Sequence, residues 1–409
     1  MGSRKASNIF KIIMLVFLTA FITFIITVPV VYKYIENNAY KIKAKSISSA
    51  VSKDATSTLE QTLADFRKVL EQKYIGEINE EDLIEGAIKG YVAGLGDPYT
   101  EYLTVEEMTS LSEETEGEYV GIGVYITSDT VNNEIVILRT IGNSPAYKAG
   151  LLTGDIIKSI DGVEYTGEQL NEASSILKGK EGTQVKIIII RNGEEKEITI
   201  TRETIRLVCV QSKKYDDIGY LRIVSFDGGC AKEFLEKYKE LESQGMKSLV
   251  IDLRFNGGGL VEEALDIGEY AVDKGSTLLI TKSKTQNENI TKSKNERIIN
   301  IPIVVLVNEY SASASEILTG ILQEVNGATI IGTKTYGKGV IQTVYQLSDG
   351  SGLKITTDEY YTPNHNKINK VGIMPDIQIE LPEEVRYNSD SIPEQKDTHL
   401  QKALEILKK

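Results

Sequence analysis

The chain has 409 residues, enough for two or three domains, and 41% of them are hydrophobic, which fits globular domains plus one apolar segment. A net charge of −13 argues against nucleic acid, or an anionic membrane surface, as the main partner. The two cysteines, Cys209 and Cys230, have no metal-ligand spacing and read as free buried thiols. No His, Cys and Asp cluster has such spacing either, so neither a metal nor an organic cofactor is expected.

The first predicted element is a membrane anchor over residues 9–32. Ile12 to Tyr32 carry no charge, a length that spans a bilayer as a helix. A signal peptide would have a shorter apolar run and a small-residue cleavage site. Here the run ends Thr-Val-Pro-Val-Val without an Ala-x-Ala pattern, so the anchor is expected to stay uncleaved, a single pass through the cell membrane. Residues 33–57 are polar and read as a stalk.

Residues 58–112 form a helical region. Leu59, Leu63, Phe66 and Leu70, then Leu83, Ile84, Ala87, Ile88 and Tyr91, have the spacing of two amphipathic helices. Such a hairpin packs internally, and it also suits a homodimer. The stretch Gly94 to Glu107, GLGDPYTEYLTVEE, closes the region with a turn.

Residues 113–203 resemble a PDZ domain. The segment YVGIGVYI, Tyr119 to Ile126, sets Gly121, Ile122, Gly123 and Val124 before an alternating strand. In a PDZ domain that loop offers backbone N–H groups to a peptide carboxylate and the next strand pairs with the peptide. The alternative is a plain β-bulge or turn. Gly142 to Tyr165 supplies a short helix, turn and strand. Gln169 to Leu177 supplies a helix flanking the groove, and Gln184–Arg191 with Glu195–Thr201 a hairpin closed by Asn192-Gly193. The resemblance implies partners with free C-termini.

Residues 204–385 read as an α/β core. Ile218–Phe226 is a strand, Cys230–Leu241 a helix, and Lys247–Leu265 a strand, a glycine turn at Gly257-Gly258-Gly259 and a helix. Thr281 to Arg297 is polar and reads as a surface loop. Ile303–Val307 is a β-branched apolar run, as in a strand buried on both faces, and Glu316–Val325 has helical spacing. Between them lie Ser311, Ser313 and Ser315. A serine at a helix mouth sits where the helix dipole favours negative charge, the setting of an activated oxygen. The same residues also spell a capping box, Ser313 with Glu316 three residues on, and Glu316 is read as a cap.

Downstream, Thr329–Gly332 is a strand, and Lys338 lies between Gly337 and Gly339 before a further strand from Val340. An exposed loop lysine is the plain reading. A buried one loses its charge more readily and can act as a base, with Gln342 four residues on to orient it. The chain has only two histidines. His365 lies in a polar turn and His399 in the tail, residues 386–409, whose short amphipathic helix is expected to pack or to end in solvent. A serine–lysine dyad is therefore more economical than a Ser-His-Asp triad using His365.

SASASE followed by GKGVIQ, with Ser313 and Lys338 twenty-five positions apart, resembles the carboxyl-terminal processing (tail-specific) serine proteases, and YYTP and GIMPDI near the end resemble the same family. The resemblance implies a multidomain α/β protein with a crotonase-like protease core. It implies Ser313 as nucleophile, Lys338 as general base oriented by Gln342, and an oxyanion hole from an amide of the glycine turn, taken as Gly258, with that of Ala314. Family members usually have Asn-Pro-Gly-Gly where this chain has Asn256-Gly257-Gly258-Gly259. It further implies an extracytoplasmic catalytic part that cuts exported proteins near their C-termini, with the PDZ groove taking the tail. Separately, the direct Arg202-to-Ile205 junction, without a long linker, motivates the hypothesis that peptide binding gates the site. The rival is a catalytically inactive PDZ scaffold.

Overall fold

The computed structural model describes residues 55–285, 287–387 and 392–408. The expected anchor at residues 9–32 and most of the stalk lie outside the described residues. Those described fall into two compact units, divided after Glu81. In the first, helix α1 (Ala55–Lys73) carries Leu59, Leu63, Phe66 and Leu70 at the expected spacing, and that face is exposed. Arg67 pairs with Glu71 at 3.0 Å and also with Glu80. Helix α2 (Glu80–Ala93) follows and runs on into the second unit.

After α2, the second unit continues with a segment that the sequence pattern shows only as a turn. Strand β1 (Glu101–Leu103) leads into helix α3 (Val105–Glu116). Thr104 and Glu107 close a capping box on α3, and Gly117 ends it in the left-handed conformation.

Strands β2 (Glu118–Gly121), β3 (Val124–Asp129) and β4 (Glu134–Thr140) open the PDZ domain. The short helix α4 (Pro145–Lys148), β5 (Ile156–Ile160), β6 (Val163–Glu164) and helix α5 (Leu170–Leu177) follow. Strands β7 (Gln184–Arg191) and β8 (Glu194–Thr201) turn at Asn192 and Gly193, both with positive φ, as a two-residue hairpin turn demands. The sheet order is β3-β4-β5-β7-β8, with β6 on β5. Val185, Ile187 and Ile189 alternate inward on β7 and meet Ala173 and Leu177 of α5, so the strand period of two and the helical period share one core.

Strand β9 (Glu203–Arg206) pairs back with β2, and the chain enters the core at β10 (Val210–Tyr215) and β11 (Ile218–Ile223). Helix α6 (Cys230–Ser243), β12 (Ser248–Asp252), α7 (Val261–Ala271), β13 (Thr277–Ser283), β14 (Glu288–Lys292) and β15 (Ile303–Val307) come next. Helix α8 (Ala314–Ile321), β16 (Thr329–Gly332), β17 (Val340–Gln346), β18 (Gly352–Tyr361), β19 (Ile377–Gln378) and helix α9 (Thr398–Leu407) complete it. One sheet runs β10-β11-β12-β15-β16-β19, parallel from β11 onward. In the other, β18 pairs with β17, β1 and β13, and β13 with β14. The polar stretch from Thr281 is thus a β-hairpin and not a surface loop. Its side chains are polar because β14 lies at a sheet edge, and backbone pairing rather than an apolar face holds it there.

Parallel strands buried on both faces explain the apolar runs. On β15, Ile303, Val305 and Val307 face helices α6, α7 and α8, while Val304 and Leu306 face the opposite side with Val250 and Ile331. That second face is covered by Leu400 and Ala403 of α9, so the tail helix is part of the core. A buried leucine of this kind contributes about 1.5–3 kcal/mol. Cys209 and Cys230 are both free and buried.

Candidate active site

The end of β12 and the end of β15 lie side by side in parallel register, which brings the loops after them together. Asn256 joins the two. Its Nδ2 donates to Ile223 O at 2.9 Å and its Oδ1 accepts from Gly258 N at 2.9 Å. Its carbonyl accepts from Ala312 N at 3.0 Å and Ser315 Oγ at 2.9 Å. Ser311 Oγ donates to Leu253 O at 2.8 Å and accepts from Asn308 N at 3.0 Å. Two of the three serines are therefore latches between the loops. Ser313, between them, lines an open cavity of about 480 Å³.

Ser313 has φ 56° and ψ −116°, a conformation that costs a non-glycine residue about 1–3 kcal/mol and persists because its neighbours hold it. Gly258 is pressed against it: at φ 112°, an added Cβ would lie 2.7 Å from Ser313 Cβ, so only glycine fits.

Glu316 does more than cap α8. Its carboxylate, wholly buried, accepts from Ser313 N at 3.0 Å and also from Thr335 Oγ1 at 2.6 Å, Gly337 N at 2.7 Å and Lys338 N at 2.8 Å. It ties the serine turn to the lysine loop. Burial pushes its carboxyl upward against the pull of these donors. Gly339 allows the loop's close approach, since a Cβ there would meet Asn369 N at 2.2 Å.

Lys338 is half-buried and lines the Ser313 cavity, as does Gln342. Burial, and then the charge of Lys354, pull its ammonium below the ordinary lysine range. Among the described residues, no hydrogen bond of 3.5 Å or less joins Lys338 Nζ to Ser313 Oγ. The amine instead lies 4.7 Å from the centroid of the Tyr99 ring. Gln342 Nε2 donates to Thr356 Oγ1 at 3.3 Å and not to the lysine, so its expected orienting contact is not made in this conformation. Gly258 differs from expectation too. Its amide is engaged by Asn256 Oδ1, and among the described residues the amides of Gly257, Gly259 and Ala314 donate no hydrogen bond, with Gly257 and Gly259 lining the cavity.

Neither histidine reaches this cavity. His365 is exposed in a turn, 3.7 Å from Glu288. His399 is buried on α9 with Nε2 2.7 Å from Ile379 O. Asn256, Tyr99 and Tyr360 stand in stretches quoted above, but the motifs give them no role at the site; the Tyr360 hydroxyl donates to Lys338 O. Tyr99 comes from the turn before β1, far away in sequence, and Tyr360 from β18, 22 residues from Lys338.

In the PDZ domain, β3 and α5 flank a small groove of about 60 Å³ lined by Ile122, Gly123, Val124, Leu177 and Lys178. Gly121 stands outside it, paired with Glu203 on β9. Lys178 pairs with Glu113 of α3 and lies 5.3 Å from the Tyr119 ring. A further cavity of about 520 Å³ shares Ser174 and Lys178 with the groove. It shares Leu111 and Lys354 with the Ser313 cavity.

Residues 217–379 match the model of peptidase family S41, residues 137–191 that of a PDZ domain, and residues 21–107 that of the activating protease CtpB N-terminal domain. A probable CtpA-like serine protease of Staphylococcus aureus (strain MRSA252) is 37% identical over 317 residues, 77% of this chain and 64% of the relative. Its counterpart in Staphylococcus haemolyticus (strain JCSC1435) is 37% identical over 327 residues, 80% of this chain and 65% of the relative. The chain therefore spans a little under two thirds of the length of these relatives. The solved structure of a photosystem II D1 C-terminal processing protease is similar at 31% identity and a TM-score of 0.47, over 78% of this chain and 88% of that one.

Proposed function

Because the chain belongs to peptidase family S41, we propose that it is a serine endopeptidase working through Ser313 and Lys338. The observation that carries this reading is the division of labour among the serines. Ser311 and Ser315 are latched to the glycine loop, and Ser313 lines a cavity shared with a lysine whose charge burial disfavours. Neutral Lys338 takes the Ser313 proton as Ser313 Oγ attacks the scissile carbonyl; the C–N bond then breaks, the Lys338 ammonium returns the proton to the departing amine, and water, giving its proton to Lys338, hydrolyses the acyl-enzyme and restores Ser313. The oxyanion rests on the Ala314 amide and an amide of the glycine loop. Gly257 and Gly259 have theirs unengaged here, and Gly258 would first have to leave Asn256.

In the same reading the core is crotonase-like and Gln342 turns from Thr356 to orient the amine. The PDZ groove at Ile122, Gly123 and Val124, with Gly121 beside it, takes the C-terminal tail of an exported protein. Occupancy of the groove gates the site, and the cavity running from Lys178 to Lys354 supports a physical link between them. Residues 9–32 anchor the chain in the cell membrane with the catalytic part outside the cytoplasm, and the exposed apolar face of α1 supports a homodimer.

The unmade Ser313–Lys338 hydrogen bond favours a second reading, an inactive scaffold that only captures tails. Ser313→Ala, Lys338→Ala and His365→Ala, assayed together on an unstructured substrate, separate the two. Loss of cleavage in the first two alone supports the dyad; no cleavage by the unsubstituted protein on any substrate supports the scaffold.

A further inference from the structure

The segment Asp97-Pro98-Tyr99-Thr100 has no part in the reaction described above, yet it is anchored firmly. Asp97 accepts from Tyr99 N at 3.2 Å and Thr100 Oγ1 at 2.6 Å, and Thr100 Oγ1 accepts from Thr356 N at 3.1 Å. This turn is thereby pinned to β18, beside the Thr356 hydroxyl that holds Gln342. Its tyrosine ring faces Lys338 Nζ at 4.7 Å.

We propose that Tyr99 is a positioning residue for the general base: its ring is the seat on which the Lys338 ammonium rests between turnovers, and the amine must leave that seat to reach Ser313. The inference rests on the reading of Ser313 and Lys338 as the reacting pair. An ammonium over an aromatic face is attracted by the ring's electron-rich centre, and the attraction is lost once the amine is neutral. The seat therefore favours the charged, waiting form. Release and loss of the proton to solvent go together, because a neutral amine has little to gain from the ring and a serine hydroxyl to meet instead.

Other charges around Lys338 set the balance against which the ring acts. Lys354 on β18 opposes the ammonium, although its own charge is paired with Glu101. Glu316 on α8 lies beneath the loop, holding Lys338 N–H, and Tyr360 from β18 holds the Lys338 carbonyl. Burial first, and then Tyr336, Asp97 and Glu316, hold the Tyr99 hydroxyl above its ordinary range, so the ring that faces the amine stays a neutral phenol.

The seat can be read without turnover. In full-length Ser313→Ala protein in detergent, the lysines are dimethylated with ¹³C, and the Lys338 signal is identified by its loss in Lys338→Arg. The expected result is an upfield ring-current displacement of that signal, kept in Tyr99→Phe and lost in Tyr99→Leu. The Lys338 titration midpoint should fall by about half to one pH unit in Tyr99→Leu and hold in Tyr99→Phe. In the unblocked enzyme, the acid limb of kcat/KM should move the same way. An undisplaced Lys338 signal in the parent protein, or a midpoint that stays or rises in Tyr99→Leu, overturns the proposal. Should the leucine variant fail to fold, the presence or absence of the displaced signal in the parent and in Tyr99→Phe decides alone. A protein that keeps the displaced signal but cleaves nothing counts against the protease reading and leaves the seat standing.

Discussion

At the scale of single residues, the site is defined by which polar groups are already occupied. Ser311, Ser315, Asn256 and Glu316 have their hydrogen bonds filled from within, and Ser313 and Lys338 share the cavity. Replacing Ser313 or Lys338 by alanine should lower kcat/KM by about a thousandfold or more, with His365→Ala unchanged, as measured on a fluorogenic peptide. Burial, then Lys354, lowers the Lys338 pKa, so cleavage should be lost as pH falls through a midpoint below the ordinary lysine value of about 10.4. Glu316→Ala leaves three backbone amides and a threonine hydroxyl without their acceptor and should cost at least about 3 kcal/mol in denaturant unfolding. The motifs make Ser313 and Lys338 legible in the sequence because their spacing is local and specific. Glu316 reads there as a cap because its other partners are as many as 22 residues downstream. Only the parallel pairing of β15 with β16 brings them back.

At the scale of elements, the tail helix and the glycine loop are one assembly. Arg254, four residues before Gly258, is buried and bonds Asp252 through Nε and Nη2, while Asp397 at the start of α9 accepts from Nη1 at 2.7 Å and Nη2 at 2.9 Å. Asp397→Ala leaves a buried guanidinium short of a partner and should cost about 3–5 kcal/mol in chemical unfolding. Asp252 carries a pH signature. Burial alone would raise its carboxyl, but Arg254 and the Tyr220 hydroxyl hold it below the ordinary aspartate value. Its contribution is therefore present above about pH 4 and fades as pH falls through the lower folded-state value. The destabilisation by Asp252→Asn should accordingly be large at neutral pH and shrink in acid. Strands β12 and β15 are plain in the sequence because both their faces are apolar, and the amphipathic spacing of α9 is plain as well. The Arg254–Asp397 clamp is not, since opposite charges 143 residues apart leave no periodic trace. The hairpin of β13 and β14 is hidden for the converse reason: an edge strand held by its backbone needs no apolar pattern.

At the scale of the whole molecule, the order of modules is readable because each has its own local grammar, from the Asn192-Gly193 hairpin to the serine turn. What lies between them is not, because the cavity beside both the PDZ groove and the Ser313 cavity takes its lining from distant stretches, Lys178 and Lys354 among them, with Glu113 paired to Lys178. If tail binding gates the site, a peptide with a free C-terminus should raise cleavage of a small reporter by about fivefold or more, an effect that Lys178→Ala reduces. Equal reporter rates with and without peptide would leave the PDZ domain a tether only. The central claim is that Ser313 becomes a nucleophile because Lys338 takes its proton. A fluorophosphonate label followed by peptide mass mapping tests it most directly. The account predicts one modified peptide, carrying the label on Ser313, normal labelling in His365→Ala and none in Lys338→Ala. A label on another residue, or undiminished labelling of Ser313 without Lys338, would contradict it.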